Sequence, residues 1–236
     1  AENKQLESGN WVTFFLCVAR KVLLEVGGLD ALFNPMFCED DDLILRLNLK
    51  GLEMAVSVNA ICYHFVSKTS RFSDEYRQRT TQIEARSGRN FVRKWGFRIQ
   101  SPVRKKYDIG LVVTNGSLVL LNQLEPWCSV IYTDIDVSPY IRQEQECTAF
   151  DLSKRIKPLT EPQPNGVLIL VDGKKMNAEK LAKIAVIHEV IHDRINTPER
   201  LWDRLLGRKF RSFTWYGYRI RIMSSTSYEH QLIYRA

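Results

Sequence analysis

Three stretches of this chain carry side chains in patterns that could do chemistry. Glu39-Asp40-Asp41-Asp42 sets four carboxylates in a row, a costly arrangement unless a cation, a helix N-terminus or proton-transfer work offsets the repulsion. An exposed acidic helix start is the plain structural alternative. His188-Glu189-Val190-Ile191-His192 places two imidazoles four residues apart with an acid between them. On a helix that spacing puts both rings on one face, where zinc could bind them and Glu189 could activate water. Asp134-Ile135-Asp136 follows the apolar Val130-Ile131-Tyr132, and there a strand-end turn capped by aspartate is expected rather than a metal site.

The elements that must position these groups follow from periodicity. Val22, Leu23 and Leu24 lie between charged residues and before Gly27-Gly28, which predicts a short helix over 19–25 closed by a left-handed glycine. Leu43, Ile44 and Leu47 predict a helix over 40–50, with acids at its start, Lys50 at its end and Gly51 beyond. Residues 54–58 and 60–66 read as strands, the second carrying His64, and 73–95 reads as a helical hairpin or a long helix broken near Ser87-Gly88. The basic, Pro-containing stretch 96–106 reads as a linker. Beyond it, strands are expected over 108–114, 129–133 and 167–171, helices over 118–124 and 177–195, and a terminal hairpin strand over 213–223.

The order of the first-half motifs, Arg20, Gly27-Gly28-Leu29-Asp30, Glu39-Asp40-x-Asp42-Leu43-x-x-Arg46, Gly51, His64 and Phe91-Val92-x-Lys94-Trp95-Gly96, resembles the family 2 glycosyltransferases of the GT-A fold. The resemblance covers residues 9–97. It implies an α/β chain in which residues 1–99 are the acceptor-side half of a GT-A domain and residues 107–236 a small α/β accessory domain. It also implies inverting transfer from a nucleotide-sugar donor to a glycan or other acceptor hydroxyl. Asp40 matches the base that takes the hydroxyl proton, with Glu39 beside it; Asn10, Trp11 and Asp42 fall on the substrate side, and His64 near the metal, a Mn²⁺ or Mg²⁺ ion. Arg46 is expected to pair with the acids. The family's nucleotide-binding half and its Asp-x-Asp metal motif would precede residue 1, so the chain reads as a fragment inactive by itself.

Two other readings compete. A zinc peptidase needs a third ligand, yet Ile195 and Pro198 stand where a metzincin has Gly and His, and Glu199 and Asp203 follow His192 too closely for a separate helix to return. The stripe Ile184, Ile187, Ile191, Ile195 describes a packing helix instead, which leaves a non-catalytic binding module open. A net charge of +7 favours an anionic partner, and nucleic acid, lipid head groups and nucleotide diphosphates all qualify. No nucleic-acid motif accompanies the basic stretches 104–106 and 204–211, so no nucleic-acid partner is expected; peripheral membrane association fits the charge. Five scattered cysteines without a C-x-x-C pair, and no apolar run of spanning length, point to the cytoplasm.

Overall fold

The computed structural model describes residues 15–55, 61–63, 78–197 and 212–227. Contacts divide the chain into two compact units, one up to Gly88 and one from Arg89 to Glu229. The division falls inside a helix. The stretch 96–106, expected as a linker, packs into the second unit, where Phe97 and Ser101 are buried.

In the first unit, helix α1 (Arg20–Glu25) ends where Gly28 N bonds to Leu23 O at 2.9 Å and Gly27 N to Leu24 O at 3.1 Å. Both glycines have positive φ, +85° and +68°, which is why glycine is needed after this helix. Helix α2 (Glu39–Leu49) starts on its acids, so their charge faces the positive end of the helix dipole. Val26 packs with Leu43 and Leu47 in a small core joining the two helices. The strands expected at 54–58 and 60–66 lie mostly outside the described residues; Ile61, Cys62 and Tyr63 are exposed and form no strand.

Helix α3 (Thr80–Trp95) runs unbroken through Ser87-Gly88, correcting the expected break. One interior glycine costs a helix only about 1 kcal/mol, and Ile83, Phe91 and Trp95 keep helical spacing across it.

The second unit is an α/β fold with a mixed six-stranded sheet in the order β3-β2-β1-β4-β6-β5. Its strands are β1 (Ile109–Thr114), β2 (Val130–Thr133), β3 (Ile156–Pro158), β4 (Val167–Asp172), β5 (Ser212–Trp215) and β6 (Tyr218–Ile222). The first four are parallel; β6 runs antiparallel to β4 and forms a hairpin with β5. Register aligns Ile156, Ile131, Leu111, Ile169, Ile220 and Phe213 in one row across all six strands. That apolar face packs with Leu120, Leu121 and Leu124 of α4 (Leu118–Leu124), Tyr140 of α5 (Ser138–Glu144) and Leu152 of α6 (Leu152–Arg155). The neighbouring row, Lys157, Tyr132, Val112, Leu170, Arg219 and Thr214, lies on the opposite face and becomes polar toward both edges.

The helix expected over 177–195 is interrupted. It consists of α7 (Ala178–Ala182), a 3-10 turn at Lys183–Val186 and α8 (Ile187–Asn196). The tighter turn lets both Ile184 and Ile187 reach the core. Among the described residues no helix is long and apolar enough to cross a membrane.

Candidate functional site

The acidic start of α2 divides into an outward and an inward part. Asp42, 0% exposed, points into the protein and accepts from Arg46 Nε at 2.8 Å. Arg46 in turn donates to Gly28 O at 2.6 Å and to Val26 O, so one guanidinium ties the Gly27-Gly28 turn to α2. Asp42, expected on the substrate side, is thus buried and engaged by Arg46. The expected pairing of Arg46 with an acid is observed.

Glu39 and Asp40 remain at the rim, both partly buried. Asp40 Oδ1 accepts from Asp41 N at 2.9 Å. Glu39 Oε2 is buried without a hydrogen-bond partner, and burial, helped by the Asp40 charge, raises the Glu39 carboxyl above its ordinary range. The chain enters this pair through Phe37 and Cys38, consecutive non-glycine residues at φ 74° and 69°. Such conformations cost of order 1–3 kcal/mol each and concentrate at functional sites. Two side chains of α3 hold the entry: Ser87 Oγ donates to Met36 O at 2.8 Å, and Arg86 donates to Asn34 O. Burial and the charges of Asp41, Glu39 and Asp40 push the Cys38 thiol up to about 12, so it stays protonated. Neither the strained entry nor its two clamps was legible in the sequence, because non-glycine residues give no signal for positive φ.

The two histidines of α8 address different partners. His188, 1% exposed, has Nε2 at 2.7 Å from Ser101 Oγ, and that hydroxyl also lies 2.9 Å from Glu189 Oε1. A hydroxyl has one proton, and Ser101 Oγ faces two groups that can only accept, Glu189 Oε1 and Val103 O at 3.0 Å, so its proton goes to one of these and His188 Nε2 donates to Ser101. This polarity leaves Ser101 without a base and His188 Nδ1 unpartnered. His192 Nδ1 meets Tyr107 OH at 2.7 Å, and its Nε2 faces Asn196 Nδ2 at 3.1 Å. Among the described residues, no group of three or more His, Cys, Asp or Glu side chains stands together so as to hold a metal.

Asp136 Oδ1 accepts from Ser138 N at 3.0 Å, the turn capping expected after β2. Asn10, Trp11 and His64 lie outside the described residues. Comparison with protein-family models, curated proteins and solved structures finds no match to this chain.

Proposed function

We propose that the first unit supplies the acceptor-activating carboxylates of an inverting glycosyltransferase of the GT-A, family 2 type. The observation that supports this most is the division of the acidic cluster: Asp42 is turned inward to Arg46, while Glu39 and Asp40 stay at the rim behind a strained turn. In the proposed step the acceptor hydroxyl gives its proton to Asp40 as its oxygen attacks the anomeric carbon. The bond from that carbon to the nucleoside diphosphate breaks with inversion, and the electron pair leaves on the diphosphate oxygen. Beside Asp40, burial and that residue's charge raise the Glu39 carboxyl above its ordinary range.

In such transferases a divalent cation stabilises the departing diphosphate. Among the described residues no site for it is assembled; His64, the residue matched to it, lies outside them.

The test is nucleoside diphosphate release from a panel of UDP- and GDP-sugars by the protein that carries this chain. Asp40→Asn is expected to lower transfer by about 10²-fold or more while donor affinity stays the same. Transfer at the parental rate in that variant would remove Asp40 from the role of base.

A further inference from the structure

The carboxyl end of the second unit's parallel strands brings exposed apolar side chains and lysines together. There β1 leads into α4, whose first two residues, Leu118 and Val119, are exposed, Val119 by 70%. The turn after β4, Gly173-Lys174-Lys175, is seated on the start of α4, since a Cβ on Gly173 would stand 3.1 Å from Leu120 Cδ2. Because β6 runs antiparallel to β4, the tip of the β5–β6 hairpin, Tyr216-Gly217, reaches the same end. Contacts join these segments. Lys180 Nζ donates to Lys175 O at 2.9 Å, a Cβ on Gly217 would stand 3.6 Å from Lys180 Cδ, and Lys183 Nζ lies 4.9 Å from the centre of the Tyr216 ring.

Two features of this end are not explained by folding. Tyr216 has φ 45° and Gly217 φ 88°, a two-residue turn for which Asn-Gly is the favoured sequence. A bulky aromatic is sterically strained at that first position. Yet the Tyr216 ring is 48% exposed, standing against Trp215 at 5.0 Å between ring centres. The second feature is charge. Asp172 takes Lys175 at 3.4 Å, whereas Lys174, Lys180 and Lys183 make no ion pair among the described residues. Glu179 is the other acid of this stretch, and Asp134 and Asp136 lie apart, after β2.

We propose that this end of the second unit docks on an anionic lipid bilayer, with Val119 and Tyr216 at head-group depth and Lys174, Lys175, Lys180 and Lys183 against the lipid charges. Tyrosine favours the membrane–water boundary, and each lysine near an anionic surface adds attraction, its stem lying along the apolar layer. Exposed apolar side chains rimmed by charge mark such interaction surfaces. A single-stranded nucleic acid asks instead for a basic groove with successive stacking rings. This end offers one exposed ring, with Lys183 already over it, beside the aliphatic Leu118 and Val119. The surface uses neither Glu39 nor Asp40, so it stands or falls apart from the transferase reading.

The experiment is co-sedimentation of the whole chain with vesicles of phosphatidylcholine alone and of phosphatidylcholine mixed with phosphatidylserine. Binding is expected to the mixed vesicles only and to weaken as salt is raised. Lys174→Gln and Lys183→Gln should each lower the partition coefficient about fivefold. Lys154→Gln, which removes the same charge from the amino end of β3, should leave it unchanged. Tyr216→Asn places the residue that the turn prefers, so it should weaken binding by about threefold or more without lowering the unfolding midpoint. Failure to bind the mixed vesicles, equal binding to both kinds, equal loss in Lys154→Gln, or indifference to Tyr216→Asn would each overturn the proposal. So would release from the vesicles by poly(U) with the same dependence on Lys183 and Tyr216, which would make this a nucleic-acid surface.

Discussion

Arg46 shows how much one side chain can carry. Its guanidinium serves Asp42, Val26 O and Gly28 O together, with the pair almost wholly out of water. Removing it strands a buried carboxylate and two carbonyls, so Arg46→Ala is expected to cost about 3–5 kcal/mol in urea unfolding, and Arg46→Lys only part of that. Glu39 makes a prediction of opposite sign. Its folded carboxyl titrates above its unfolded value of 4.5, so the folded state binds more protons between those two points and stability falls as pH rises through them. Glu39→Gln should therefore be more stable than the parent at neutral pH, with the difference closing toward pH 4. The acidic run and its arginine were legible because charge and helical spacing are written in the sequence. Which acid turns inward was not, since that depends on carbonyls of Val26 and Gly28 some twenty residues away.

At the scale of elements, α8 shows pattern and packing at odds. The isoleucine stripe signalled a helix correctly, yet the 3-10 turn at Lys183–Val186 has no marker, because the sheet rather than local propensity asks for it. The same stripe hides His188, whose partner Ser101 lies in a stretch that reads as a linker. Burial lowers the His188 pKa below its ordinary 6.5, so below that point the unfolded chain takes a proton the folded ring resists. Stability from this group is present above pH 6.5 and is lost as pH falls. His188→Gln should flatten the decline in urea midpoint between pH 7 and 5. The 156–158 strand and the 138–144 helix were missed for a simpler reason: each is too short to show a period.

For the whole molecule, the placing of Arg93 matters most. It is fully buried and pairs with Glu125 at 2.8 Å, and Glu125 is shared with Arg155 at 2.7 Å and with Tyr140 OH at 3.0 Å. Although burial pushes the Glu125 carboxyl up, Arg155 and Arg93 together hold it below its ordinary range. The C-terminal half of α3 is thus bound into the second unit by a charge network, and a cut between residues 99 and 107 would separate its members. A chain beginning at residue 107 should fail to unfold cooperatively in urea, whereas one spanning 89–229 should do so, because the first leaves Glu125 and Arg155 without Arg93.

β1 has a neighbour on each side, β2 and β4, and its residues from Ile109 to Val113 are buried. Solvent can reach its amides only by opening a pair of strands at once, whereas the three-residue β3 and the outer β5 each have a single neighbour to leave. Deuterium should therefore enter β3 and β5 first and the amides of Leu111 to Val113 last, at a rate set by global unfolding. An order with β1 early would mean that the sheet parts along its middle.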